Sequence, residues 1–426
     1  MENKTDAYRL YVRRTVCGEP FKSQEPSPVK GVGAQRDQPT HVLFIIDRYM
    51  HANAGAERVL LKITQLLPAF GFRCSVVTFN DGDHGTTLPS DISAFRCPVH
   101  ILALRRTWGV KSWQAATKLI RILREQDVRI VHTFFETSDI WAGTIARLAG
   151  APVVVSSRRD MGILRSLKHK FAYKLISRYQ DRVLTVSDQV RHFCISHDRV
   201  PENKVTTIYN GIDADYFCPA VDRAAVRRSL GLPLDKLIVT TVGNVRYIKG
   251  TDNFVRVAEK VKNALNDVIF INVGAANEPQ YFAQVNQLAE QLGVQDRLRF
   301  VGRTSDVLPY LQASNVFALL SRSEGFSNAL IEAMSCALPC VATRVGGNPE
   351  AIKDHVTGYI VNPEDIDDAA RRILFLLARP LAAGEIGFSA REQVLARFTL
   401  NRMVNQLVSV YTELLTRTPA VRRKLT

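Results

Sequence analysis

No stretch of the 426-residue sequence stays apolar for the roughly eighteen residues that a membrane-crossing helix needs. The opening segment, Met1 to Leu10, is polar and charged and lacks a signal-peptide core. Cysteine is scarce. The seven present (Cys17, Cys74, Cys97, Cys194, Cys218, Cys336 and Cys340) are odd in number, scattered and without a Cys-x-x-Cys spacing. These absences lead us to expect reduced thiols in a cytoplasmic protein, with neither a disulfide framework nor a structural zinc. Helix-turn-helix, zinc and aromatic RNA-binding patterns are also missing, so no nucleic acid is expected as a partner. A non-enzymatic basic nucleic-acid-binding protein stays open as an alternative.

What is present is an ordinary globular composition, 46% hydrophobic and 23% charged, with a net charge of +15. The length suits two domains with substantial cores. The charge calls for an anionic partner, be it nucleic acid, a membrane surface or an acidic substrate. Residues 1–39 are polar, with Pro, Gln and charge, and read as a disordered extension. From His41 the chain alternates between the two periods of an α/β protein. Strands are expected from His41 to Ile46, at Cys74–Phe79, Val128–His132, Val153–Ser157 and Val183–Ser187. Helices are expected from Glu57 to Pro68, at Ser112–Gln126 and at Asp139–Ala149. Such alternation implies a parallel sheet covered on both faces. The first strand is followed by a loop that carries Gly55 and opens a helix, a Rossmann-like start.

A second run of strands lies at Leu237–Val242, Val268–Val273, Leu298–Val301, Asn315–Leu320 and Pro339–Thr343. The boundaries read as follows: 40–213 an N-terminal Rossmann-like domain, 214–235 a linker, 236–395 a C-terminal one, and 396–426 a helix with a basic tail. The stretch after Leu320 is the most informative. Glu324, Gly325, Phe326, Ser327 and Asn328 form a strand-to-helix turn, and the helix that begins near Asn328 carries Glu332. Its first backbone N–H groups and its dipole favour a phosphate, and Gly325 allows close approach. Glu332 lies roughly 6 Å along the axis. The two carboxylates, Glu324 and Glu332, would then frame one ligand. Arg246 and Lys249, on the turn Gly243–Gly250, supply charge for a diphosphate.

Ser-Glu-Gly-Phe-Ser-Asn-Ala-Leu-Ile-Glu-Ala-Met, followed by Val-Gly-Gly-Asn-Pro-Glu, resembles the signature of glycosyltransferase family 4. Gly55-Ala56-Glu57-Arg58, Asn210-Gly211-Ile212-Asp213 and Gly302-Arg303 are similar to further family segments. The resemblance implies an α/β fold of two facing Rossmann-like domains, GT-B type, with a cleft between them and a C-terminal helix crossing back. It also implies a retaining transferase that uses a nucleoside-diphosphate sugar, UDP being the expected donor base, and needs no metal or other cofactor. By resemblance Glu324 faces the donor sugar and Glu332 the ribose. Lys249 and Arg246 serve the diphosphate. Gly55, Gly274, Arg303, Gly325, Phe326, Ser327 and Asn328 complete the donor site. The family loop reads Gly-Arg-x-x-x-x-Lys-Gly; here Asn244 takes the Arg position and Arg246 follows two residues later. A family histidine after the strand at Val153–Ser157 is replaced by Arg158, which with Asn210 is a candidate sugar or acceptor contact. A nucleotide-sugar 2-epimerase of the same fold is the alternative enzyme.

The acceptor is expected to be a glycan or a lipid-linked intermediate. Between Arg158 and Arg182 there are eight Lys or Arg residues against Asp160 and Asp181. Ile163, Leu164, Leu167, Phe171, Leu175, Ile176 and Tyr179 fall on one stripe of the same helix, read as facing the core. The basic face would meet an anionic membrane surface, making the protein peripheral at its cytoplasmic side. The segment Leu104–Trp113 mixes Trp with cations and suits a sugar or lipid-phosphate acceptor. The triplets Asp81-Gly82-Asp83 and Asp213-Ala214-Asp215 read as chance occurrences rather than metal sites.

Overall fold

The computed structural model describes residues 39–47, 55–80, 90–104, 106–162 and 167–417. The extension read at 1–39, except its last residue, lies outside these. So do the loop 48–54, the Asp81 triplet, Arg105, residues 163–166 and the basic tail at 422–424. The chain divides into two compact units, Pro28–Gly211 with Leu400–Thr426 and Ile212–Thr399.

The first unit is built on seven strands: β1 Thr40–Ile46, β2 Phe72–Asn80, β3 Val99–Ala103, β4 Val128–Phe134, β5 Val153–Arg158, β6 Arg182–Thr185 and β7 Val205–Thr207. They pair in parallel in the order β3-β2-β1-β4-β5-β6-β7. Continuous apolar runs suit strands covered on both faces, and Val42 to Ile46 are wholly buried. One face packs under the helix Val110–Glu125 through Leu119 and Leu123. The other packs under Gly55–Leu66 and the last helix, Leu400–Arg417. That last helix therefore returns to the first unit through Met403, Val404, Leu407 and Tyr411. It starts at Leu400, because the preceding helix, Pro380–Arg397, ends before Phe398 and Thr399. Inside, His132 hydrogen-bonds the Tyr411 hydroxyl at 2.6 Å and Ser157 Oγ at 2.8 Å. Burial, aided by the charge of Arg159, pushes His132 down to about 3, so it stays neutral.

The second unit holds six parallel strands: β8 Leu237–Val242, β9 Val268–Val273, β10 Leu298–Gly302, β11 Val316–Leu319, β12 Cys340–Thr343 and β13 Tyr359–Val361. Their order is β10-β9-β8-β11-β12-β13. Residues 214–235 carry a helix, Arg223–Ser229, and the buried Arg227 on it donates to the carbonyls of Ala313 and Lys236.

One expectation is reversed. In the helix Leu167–Ile176 and the turn after it, the inward positions are Tyr173, Ile176, Ser177 and Gln180, while Phe171, Leu175 and Tyr179 point to solvent. The cause is a buried charge beneath the helix. Arg158 ends β5 with 1% exposure, its guanidinium 3.7 Å above the Tyr173 ring and near Asp139 and Asp198 at 3.5 and 3.7 Å. Tyr173 donates to Asp139, and Arg158 donates to Gln180 at 3.1 Å. Polar partners for the buried ions decide the helix's rotation, and of the expected stripe Phe171, Leu175 and Tyr179 are left outside while Ile176 is buried.

Leu407, 2% exposed between the last helix and the sheet, sets a measurable anchor. Leu407→Ala is expected to lower the unfolding free energy by about 2–5 kcal/mol in a urea titration.

Candidate active site

In the second unit the sheet runs outward in opposite senses from the neighbours β8 and β11. In open parallel sheets ligands bind at such a switch point, beyond the carboxyl ends of the strands. Three loops meet there. After β8 the chain makes a short turn, Tyr247–Lys249, and enters the helix Thr251–Ala264 through Gly250. After β11 it makes the Ser321–Ser327 turn into the helix Asn328–Ser335, which the Ser327 hydroxyl caps by accepting from Leu330 N. After β12 comes Val345-Gly346-Gly347.

Two glycines make this convergence possible. Gly250 has φ +63°, and a Cβ there would lie 2.0 Å from the Leu320 carbonyl oxygen. Gly346 has φ +49°, and its Cβ would lie 1.8 Å from the Glu324 carbonyl oxygen. The Gly347 N–H donates to Gly325 O at 2.9 Å, which fixes the Glu324–Gly325 turn from the other side. Any side chain at either glycine would push a loop out of place.

Within this frame Lys249 Nζ donates to both oxygens of Glu324, at 2.7 and 2.9 Å. Ser321 Oγ donates to the same carboxylate at 2.7 Å. Glu324 is 9% exposed, whereas the lysine side chain keeps 33%. The lysine side chain thus stays partly exposed while the carboxylate holds its ammonium in place. Phe326 is buried against Phe398 with ring centroids 5.2 Å apart. Glu332, one turn into the helix, is 1% exposed and lies inside the unit, where hydrogen bonds are stronger than in water.

Other candidate residues are placed differently. Arg246 is turned away to Glu278, its Nε donating at 2.9 Å, while Tyr247 N donates to the second Glu278 oxygen at 3.1 Å. Lys249, rather than Arg246, is the cation beside Glu324. Asn244, at the position of the family arginine, accepts from Ala275 N through Oδ1 at 3.1 Å. Gly274 is a packing position, since a Cβ there would lie 2.1 Å from Gly243 O. Arg303 is exposed just after β10. Gly55, Arg158 and Asn210 belong to the first unit. Gly55 opens a helix there, Arg158 is an internal ion and Asn210 accepts from Arg159 at 2.8 Å. Arg158 is therefore corrected as a sugar contact: the next residue, Arg159, is the one that reaches a cavity. Asp213 Oδ1 accepts from Tyr216 N at 3.1 Å, a turn-capping role.

Arg322 escaped the sequence reading. It grips Asp252 with two parallel bonds of 2.7 and 2.8 Å, lies 4.0 Å over the Tyr247 ring, and its backbone N–H donates to Ile248 O. It therefore ties the Lys249 turn to the Glu324 turn. The signal was available: an arginine after a buried strand, and an acid in the first turn of the preceding domain helix. Burial pushes the Asp252 carboxyl up, but the Arg322 and Tyr281 hydrogen bonds outweigh it and hold it below its usual value.

Two family models cover most of the chain: "Glycosyltransferase Family 4" at residues 53–216 and "Glycosyl transferases group 1" at residues 222–393. Parallel-sheet units of this kind define the GT-B class of sugar transferases, and the chain belongs to glycosyltransferase family 4. It is 25% identical over 375 residues to an Escherichia coli UDP-Gal:alpha-D-GlcNAc-diphosphoundecaprenol alpha-1,3-galactosyltransferase, covering 85% of this chain and 94% of that one. It is 27% identical to the N-acetyl-alpha-D-glucosaminyl L-malate synthase of Bacillus anthracis, covering 83% and 88%. A glycosyltransferase crystal structure from Rickettsia africae shares the fold, with a TM-score of 0.78 at 21% identity over 90% of this chain and 100% of that one.

Asp252→Asn removes the two-bonded carboxylate partner of Arg322, leaving Glu364 at 2.8 Å from its Nε, and is expected to cost about 1.5–3 kcal/mol at neutral pH. Because the folded carboxyl titrates below its unfolded value, that stability is fully present above roughly pH 4 and is lost as pH falls further. Urea midpoints of variant and wild type should converge in acid and differ at pH 7.

Proposed function

We propose that this glycosyltransferase is a retaining enzyme that transfers a sugar from a UDP-sugar to a lipid-diphosphate-linked glycan, without a metal ion. The observation that carries the proposal is the Lys249–Glu324 pair beside the capped N-terminus of Asn328–Ser335. Departure of a nucleoside diphosphate develops negative charge on the β-phosphate. Lys249 and the backbone N–H groups after Ser327 are aimed at such charge before the reaction begins. Preorganised stabilisation of this kind is commonly the largest catalytic contribution. Glu324 would orient both the lysine and the donor sugar, and Glu332 would accept from the ribose hydroxyls. Retention follows from the family resemblance: attack on the face that the leaving diphosphate departs, with the diphosphate helping to take the acceptor's proton. The UDP-sugar and diphosphate-lipid choices are supported by the donor and acceptor for which the Escherichia coli relative is named.

A site at the cytoplasmic membrane face belongs to the same proposal. Phe171, Leu175 and Tyr179 are 72%, 51% and 54% exposed, interleaved with the exposed Lys168, Lys170, Lys174 and Arg178. Trp108 and Trp113 are exposed as well, with Arg106 lying over the Trp108 ring. Aromatic side chains among cations suit an anionic bilayer interface, where each basic residue contributes on the order of 1 kcal/mol.

The test is transfer from labelled UDP-hexoses to a polyprenyl-diphosphate sugar in EDTA, with the product's anomeric configuration read by NMR. Lys249→Ala is expected to lower kcat by about 10²–10³, and Glu332→Ala to raise the donor KM. Wild-type kinetics in both variants would overturn the site. Conversion of the donor to a new sugar nucleotide without acceptor would favour the 2-epimerase. Charge reversal at Lys168, Lys170 and Lys174 should release the protein from vesicles containing anionic lipid, as read by co-sedimentation.

A further inference from the structure

A small cavity lies in the first unit, at the carboxyl ends of its central strands. Its volume is about 30 Å³, and it is lined by His132, Ser157, Arg159, Thr185 and Asn210 beside apolar side chains including Met403. Roughly 10–15 Å³ is enough for a water or a single oxygen atom of a ligand. The polar lining is already settled in part, with His132 neutral and bonded to Ser157 and Tyr411. Arg159 is the exception.

Arg159 is half-buried and follows β5 directly. Its neighbour Arg158 is buried between Asp139 and Asp198, yet Arg159 has no carboxylate within 4.0 Å among the described residues. Its single hydrogen bond runs from Nη2 to the neutral Oδ1 of Asn210, and its guanidinium lies 5.7 Å from the Phe134 ring. Burial pulls its pKa down to about 10, against the distant pull of Glu57, so the group is still charged at neutral pH. A cation partly withdrawn from water without a counter-charge is costly, and a ligand that supplies the missing charge offsets that cost. Asn210 fixes one edge of the guanidinium and leaves the other for a forked bond to a phosphate.

We propose that Arg159, held by Asn210 at this cavity, binds a phosphate of the acceptor and so selects acceptors that carry one. The proposal rests on the transferase reading above, and concerns acceptor selection in the first unit rather than the donor.

The experiment uses the full chain saturated with UDP, titrated calorimetrically with farnesyl diphosphate, inorganic pyrophosphate and farnesol. Farnesyl diphosphate should bind and farnesol should not. Arg159→Gln should weaken farnesyl diphosphate at least about tenfold, Arg159→Lys less, and neither should change the affinity for UDP. Pyrophosphate binding that is lost equally in Arg159→Gln shows that the site reads phosphate alone; pyrophosphate binding much weaker than farnesyl diphosphate shows that the lipid adds to it. Because the free cation is a cost to the empty protein, Arg159→Gln should melt no lower than wild type. Unchanged farnesyl diphosphate binding in Arg159→Gln, or a lower melting temperature with binding intact, would overturn the proposal. Absence of UDP binding in the wild type would count against the donor reading instead, and the wild-type comparison with Arg159→Gln in farnesyl diphosphate alone would still decide this one.

Discussion

The proposed donor site in the second unit depends on holding one ammonium and one carboxylate together at the end of a parallel sheet. Lys249 and Glu324 come from loops 75 residues apart in sequence, and their contact exists because β8 and β11 are neighbours at the sheet's switch point. Two glycines with left-handed backbone let the loops approach within contact of each other's carbonyls. Arg322 then locks the lysine's turn through Asp252 and Tyr247. Each device fixes the same arrangement, a positive charge beside a helix N-terminus; in the proposed reaction little reorganisation would be needed when negative charge appears.

The first unit solves a different electrostatic problem with similar means. Arg158 is taken fully inside and surrounded by Asp139, Asp198, Tyr173 and Gln180, and the demand for those partners sets how the Leu167–Ile176 helix is rotated. One consequence is a helix with aromatic and basic side chains on its outer face. The next residue in sequence points elsewhere and is left with a neutral partner. Alternation along a strand and its exit puts consecutive residues on opposite sides, so two adjacent arginines acquire opposite fates.

Much of this was legible from sequence. The strands appeared as short apolar runs rich in Val, Ile, Leu and Phe, and Glu324, Gly325, Ser327 and Glu332 fell on a turn and helix that the structure reproduces at Asn328–Ser335. What stayed hidden depended on partners distant in sequence. Nothing in Gly-Asn-Val-Arg-Tyr-Ile-Lys-Gly says that Glu278 will claim Arg246, or that Asn244 will serve the Ala275 backbone. The stripe of Phe171, Leu175 and Tyr179 has a helical period and was read inward. Period alone reports amphipathicity, and a buried ion network overrode it. Likewise, at the end of β5 it is Arg159 rather than Arg158 that lines a cavity, because side-chain direction reverses at every step of a strand.

The central claim is that Lys249 at the switch point binds a nucleoside diphosphate. Thermal unfolding with UDP, GDP, ADP and CMP tests it directly, since a ligand at about 100 times its dissociation constant stabilises the native state by roughly 2.7 kcal/mol. The account predicts that UDP raises the melting temperature of the wild type and that Lys249→Ala loses most of this rise. An equal rise in both proteins, or none in the wild type with any nucleotide, would contradict it.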